Sequence, residues 1–180
     1  MAIAPLKVIR LGHPKLRLKS KPVSGKKLQE QRFQKFLDNL AKTCLANNGV
    51  GIAAPQVGVN KRVIVVHVDP TNPRYRNKNP FPLTIVINPK VIIRSSIKKE
   101  DWEGDLSANI RALVPRPIAC TVIGLDRFGK DVRHELSDDF HARVFQHEID
   151  HLDGTLFIDK VKNKKSFTEF AEWKKYWKDK

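Results

Sequence analysis

The sequence predicts an α+β fold. Mainly antiparallel sheets pack around a central helix, with an N-terminal helix before them and a basic helical tail after. Three observations predict it. Apolar residues recur at helical spacing in residues 27–47 and again in 138–153. Between these helices, short β-branched runs and turn signals follow one another. Few strands alternate with helices, which disfavours a doubly wound parallel sheet. No repeat or low-complexity segment is present, and residues 1–180 read as one domain with a tail at 161–180.

The first helix rests on Phe33, Phe36, Leu37, Leu40, Cys44 and Leu45, and should stop at Asn47-Asn48-Gly49. The run 61–68, KRVIVVHV, is rich in β-branched residues and is expected to be buried on both faces. Residues 70–82 contain four prolines and predict a loop. LTIVINP (83–89) and VIIR (91–94) predict two strands, the first closed by Asn-Pro. Residues 118–126 and 130–136 flank the turn Asp126-Arg127-Phe128-Gly129 and predict a hairpin. Ser137 is the expected N-cap of the next helix, which Gly154 should end. In the tail, Phe167, Phe170, Trp173 and Trp177 recur every three or four residues, so a short amphipathic helix docked on the domain is expected.

Bulk properties narrow the function classes. No apolar run approaches the ~18 residues that a membrane span needs. The basic N-terminal segment contains Pro14 and Pro22 where a targeting helix would run, so it reads as part of the folded domain. Cys44 and Cys120 are far apart and predict two buried thiols in a reducing compartment, with no disulfide framework. A net charge of +15 favours polyanion surfaces, but the basic residues are spread out and lack an aromatic-interleaved RNA motif.

The chemistry concentrates in QHEIDH, residues 146–151. His147 and His151 stand at i and i+4 on one helix face, so two imidazoles can grip one metal ion. Glu148 is adjacent and can take a proton from a water activated there. A catalytic metal usually wants a third protein ligand. No histidine follows His151; Asp153, Asp159, Glu169 and Glu172 are downstream candidates, and an upstream ligand is equally open.

Three segments together resemble the peptide deformylase family. GVGIAAPQVGV (49–59) is similar to its GxGxAAxQ segment, WEGDLS (102–107) to its EGCLS segment, and QHEIDH to its QHExDH helix, in the same order. LGHPKLR near the start and LDRFGK in the hairpin also fit, so the resemblance spans roughly residues 5–160. It implies a metal-dependent hydrolase that removes the N-formyl group from the first methionine of new polypeptides. It also implies that Asp105 stands where the family has a cysteine ligand, completing a set with His147 and His151. Two histidines and a carboxylate form a known catalytic zinc or non-haem iron set. The implied cofactor is one divalent ion, Fe(2+) or Zn(2+), with Ni or Co able to substitute.

By the same resemblance, Glu148 is the proton carrier, while Gln56 and the Leu106 backbone N–H face the developing oxyanion. Gly51 would let the peptide backbone approach, and Val50 and Val144 would line the methionine pocket. Arg111 would border the substrate and pair with Glu103 to shape the loop. The link SANIR after Asp105 is more compact than the family's and lacks its proline. His13, His67, His134 and His141 have no motif partners and read as surface or structural. The expected partners are N-formylmethionyl nascent peptides and, through the basic surface, the ribosome, with no membrane. The bacterial cytoplasm is the preferred compartment over an organelle matrix. The alternative is a deformylase-like protein of weak or lost activity that serves as a ribosome-associated binding module. A third reading is a hydrolase of another acylated amine.

Overall fold

Strand β2, Val63–Val68, sets the architecture because its two faces feed two apolar layers. Val63 and Val65 pack with Phe33, Leu37, Leu40 and Cys44, whereas Ile64, Val66 and Val68 pack with Val144, Phe145, Ile149 and Leu152. That division follows from the two-residue period of a strand. The computed structural model describes residues 4–75 and 77–178, so the last two residues of the predicted tail and one residue of the predicted loop lie outside the described part.

The order of elements is α1 (Gly25–Leu28), α2 (Gln31–Ala46), β1 (Gly51–Ala53), β2, β3 (Phe81–Arg94), β4 (Lys98–Asp105), β5 (Ala108–Pro117), β6 (Cys120–Leu125), β7 (Asp131–Leu136), α3 (Asp139–Leu152), β8 (Thr168–Glu169) and α4 (Phe170–Tyr176). One antiparallel sheet has the order β1-β2-β3-β6-β7, and a second has β4-β5-β8. Helix α2 covers one face of the larger sheet, and α3 covers the other. The remaining side of α3 reaches the smaller sheet, where Arg143 donates to the Val114 and Lys99 carbonyls and Gln146 to the Pro117 carbonyl. The expected α+β fold is therefore observed, with α3 in the centre.

Several local expectations change. The first helix is split, because a turn of helix ends at Leu28 and Glu30 starts the next. The segments 83–89 and 91–94 form one strand with the preceding Phe81 and Pro82. Asn88 makes this possible: it takes φ 51° at an irregular point in the ladder, and its side chain bonds both the N–H and the C=O of Val23. Asp138 caps α3 in place of Ser137, since its carboxylate accepts from the Phe140 and His141 N–H groups.

The largest difference is at 98–117, which pairs as a hairpin from Lys98↔Pro117 to Asp105↔Ala108, not a loop. Only Leu106 and Ser107 separate the strands. The compact SANIR link is thus the start of β5. Cys44 and Cys120 are both buried free thiols, and burial raises the pKa of Cys120 to about 11. The tail docks as expected: β8 extends the smaller sheet beside β5, Trp173 of α4 meets Trp102 edge-on, and Trp177 just past the helix packs on Trp102 at a tilt.

Candidate metal centre

The hairpin end and the central helix meet at Asp105. Its Oδ1 accepts from the Ser107 N–H at 2.6 Å and from Gln56 Nε2 at 2.8 Å. Both donors hold the same oxygen, leaving Oδ2 for the histidines: it lies 3.2 Å from His151 Nε2 and 4.0 Å from His147 Nε2. One ligand atom from each of Asp105, His147 and His151 lies within 4.8 Å of the others.

These residues fit a divalent ion on their own terms. His151 Nε2 is buried and makes no hydrogen bond; its approach to Asp105 lacks hydrogen-bond geometry. A buried nitrogen with no partner is costly unless something else engages it. His147 Nδ1 is held by Glu103 Oε2 at 2.9 Å, which frees Nε2 for the cluster. Two imidazole nitrogens and a carboxylate oxygen make a donor set suited to zinc or iron.

Glu103 is itself fully committed. Arg116 bonds it through Nε at 2.7 Å and Nη2 at 2.8 Å, and Arg143 through Nη1 at 2.7 Å. Burial alone would raise its pKa, but Arg116 and His147 outweigh burial and hold it well below the usual carboxylate range. Arg116 also bonds Asp150 at 2.5 Å, and Asp150 in turn takes Lys160 at 2.9 Å. The expected Glu103–Arg111 pair is not formed. In the hairpin register Arg111 faces Gly104, one position beyond Glu103, and its guanidinium turns toward α4.

Arg116 and Arg143 were not singled out from the sequence. The signal available was the alternation of Ala112, Val114 and Arg116 on one face of β5, all buried. The N-terminal segment was also missed. Ile9 donates to the Gln56 carbonyl and Leu11 to the Ser107 carbonyl, both at 2.8 Å, and Arg10 bonds the Leu106 carbonyl. These residues tie the Gln56 turn to the hairpin tip.

Gln56 is held at both ends of its amide and keeps one N–H free. Its Oε1 accepts from the Ala53 N–H at 2.7 Å while its amide nitrogen serves Asp105. Glu148 lies beside the cluster with Oε2 buried and unpaired. Burial, opposed by His147 and His151, raises its pKa to about 7. Gly51 meets Glu148 directly: a Cβ there would lie 2.4 Å from Glu148 Oε1. The space that glycine leaves is filled by this carboxylate.

A cavity of about 60 Å³ opens onto this group. Val50, Gly51, Gln56, Asp105, Leu106, Arg111, Val144, His147 and Glu148 all border it; His151 is not among its walls and is buried at 1% exposure. Tyr75, Trp102, Phe140 and Arg74, which the sequence had not marked, complete its walls. His13, His67 and His141 hold local backbone: His13 caps a turn, and the other two bond the Phe81 and Asn79 carbonyls. His134 packs on Phe81 and Phe145.

The fold and this cluster together define the class of metallohydrolases built on a buried HExxH helix. Residues 5–167 match the family profile described as Polypeptide deformylase. The chain is 45% identical over 159 residues to Peptide deformylase 2 of Nostoc sp., covering 88% of this chain and 87% of that protein. It is 34% identical to the chloroplastic Peptide deformylase 1A of Solanum lycopersicum over 86% of this chain and 58% of that one. The Met-Ala-Ser-bound class I type b peptide deformylase of Acinetobacter baumannii superposes with a TM-score of 0.85 at 37% identity, covering 89% of this chain and 100% of that chain.

This chain belongs to the polypeptide deformylase family. It is a hydrolase of protein biosynthesis that removes the N-formyl group from the N-terminal methionine of new polypeptides. Among the described residues, no helix is long and apolar enough to cross a membrane.

Proposed function

We propose that Asp105, His147 and His151 hold one divalent ion, Fe(2+) or Zn(2+), with Ni(2+) or Co(2+) able to replace it. The observation that carries this reading is Asp105 Oδ2 lying 3.2 Å from His151 Nε2 beside Glu148, whose Oε2 is buried and unpaired. A divalent ion supplies Lewis acidity there, polarising an amide carbonyl and acidifying water. Glu148 takes the proton of the attacking water and returns it to the departing amine nitrogen, so formate leaves with a free N-terminal amine. Burial raises the Glu148 pKa and so strengthens it as a base for the first transfer.

The Leu106 N–H and the Gln56 amide are the donors proposed for the developing oxyanion. The Gln56 bond to Asp105 sets the direction of that amide, so Gln56 links the carboxylate to the oxyanion position. Val50 and Val144, with Phe140 and Tyr75, supply the apolar walls for the methionine side chain. Gly51 lies at the end of β1, an edge strand of the larger sheet, where an extended peptide can add as a further strand. The surface charge of +15 supports contact with ribosomal RNA in the cytoplasm, where nascent peptides emerge.

The test is formate release from formyl-Met-Ala-Ser by protein loaded in turn with Fe(II), Ni(II), Co(II) or Zn(II). Turnover with at least one ion is expected. Folded protein that contains metal and releases no formate with any of the four overturns the reading.

A further inference from the structure

Arg111 is only 4% exposed, yet among the described residues no carboxylate and no hydrogen-bond acceptor meets its guanidinium. Its contacts are two aromatic rings of the tail: Phe170, 5.3 Å from Cζ to centroid, and Trp173, 4.6 Å. A second arginine shares the first ring. Arg74, from the loop before β3, places its Cζ 5.0 Å from the Phe170 centroid. It donates one bond, to the Asn47 carbonyl at 3.3 Å, and its Nε is buried without an acceptor. Burial first, and the Arg111 charge after it, draw the Arg74 pKa below the ordinary arginine value.

Both arginines border the cavity that contains Asp105 and Glu148. The acids in that cavity do not answer them. Glu103 is taken by Arg116, Arg143 and His147, and Asp105 by Gln56, Ser107 and the histidines, while Glu148 lies against Gly51 and pairs with neither arginine. The position of Arg111 is fixed by the hairpin. It lies across from Gly104, where a Cβ would fall 2.6 Å from Arg111 Nε, so the guanidinium packs over Gly104 at the edge of the cavity.

A guanidinium drawn from water without an anion is left uncompensated. A cation–π contact offsets only part of that cost. The aromatic rings hold the two side chains in place but satisfy none of their N–H donors. A planar fork of donors is matched best by a carboxylate.

We propose that Arg74 and Arg111, backed by Phe170 and Trp173, form a subsite for a carboxylate of the substrate peptide beyond its formyl-methionine. The carboxylate is either an acidic side chain at the second or third residue or the terminus of a short peptide. This rests on the deformylase reading and gives the tail a specificity role within it. The chain's basic character then extends into the site, where it selects peptides that carry negative charge close to the start.

The test compares kcat/KM for amidated formyl-Met-Ala-Ser, formyl-Met-Glu-Ser, formyl-Met-Ala-Glu and the matching lysine peptides, at low and high salt. The free acid of formyl-Met-Ala-Ser separates a terminal from a side-chain carboxylate. At least one carboxylate-bearing peptide is expected to exceed its lysine or amide counterpart by about tenfold at low salt, mainly through KM, as one charge-assisted contact allows. The gap narrows at high salt and collapses in Arg111→Gln and in Arg74→Gln. The second variant lies on a loop and stands in if the first does not fold. Equal values across the panel, or a preference that survives in the variants, overturn the subsite while leaving deformylation intact. If no peptide turns over, titration of Met-Glu-Ser-amide and Met-Lys-Ser-amide into zinc-loaded protein decides: Arg-dependent preference for the glutamate peptide keeps the subsite, and equal binding removes it.

Discussion

Glu103 Oε2 receives the Nδ1 hydrogen of His147 at 2.9 Å, which ties a hairpin residue to the metal-binding face of the central helix. The same carboxylate neutralises two buried arginines, so one residue both aims a ligand and keeps the interior electrically balanced.

The two duties separate by substitution. Glu103→Gln keeps the shape and an acceptor for His147 but weakens both arginine pairs, and zinc affinity should fall about 10–100-fold, as for other partners of ligating histidines. Glu103→Ala leaves Arg143 without a carboxylate and Arg116 with Asp150 alone, and should cost about 3–5 kcal/mol of stability. Competition with a zinc-sensitive dye and urea unfolding read the two effects. Equal loss of stability in both variants, with unchanged metal affinity, would contradict the assignment.

The carboxylate ligand makes a second prediction. A thiolate donates more charge than a carboxylate and is softer. Asp105→Cys should therefore raise formate release and move metal preference, although it gives up the bond from Gln56. Steady-state rates with each of four ions, at confirmed metal content, are the measurement. A variant that binds metal and works no better than the parent would refute this view of the position.

Metal-free protein should lose stability as pH rises. The Glu148 pKa is raised from 4.5 to about 7, chiefly by burial. The folded state thus keeps a proton that the unfolded chain has released, and its contribution is complete below 4.5 and gone above about 7. For His147, burial opposes the charge, but the bond to Glu103 and the charges of Glu148, Glu103 and Asp105 raise its pKa to about 9. Its contribution is complete below 6.5 and lost through 9. Both terms fall in the same direction between pH 5 and pH 9. Each pH unit of such a one-proton window is worth about 1.4 kcal/mol, or roughly 3–5 °C of Tm in a chain of this size. Melting curves of chelator-treated protein should show the fall. Glu148→Gln should flatten the limb below pH 7 and also shorten the upper one, because the Glu148 charge is one of those that raise His147. Added zinc should protect most at high pH, because it competes with the proton on His147. A flat Tm profile in the parent would exclude this coupling.

Much of this molecule was legible from local pattern. The double-faced strand at Val63–Val68 showed in its unbroken β-branched run, and the Asp126–Gly129 turn in its residue types. His147 and His151 fell on one helix face by spacing alone. The β4–β5 hairpin was not legible. Its inward positions include Glu103, Arg111 and Arg116, whose charges disguise a buried strand until their partners are known. The Asn88-Pro89 step likewise read as a strand end, because its continuation depends on Val23, 65 residues earlier.

The sequence by itself determined the α+β class and the paired histidines with Glu148, and its ordered motifs pointed to Asp105 as the residue beside them. Those features are local or carried by residue type. Only the tertiary structure decided which charges meet: that Glu103 serves His147, Arg116 and Arg143, and that Arg111 turns away to the tail beside Arg74. Partner choice between buried charges depends on strand register and on which elements close over them. Contacts between residues so distant in the chain leave no periodic trace in it.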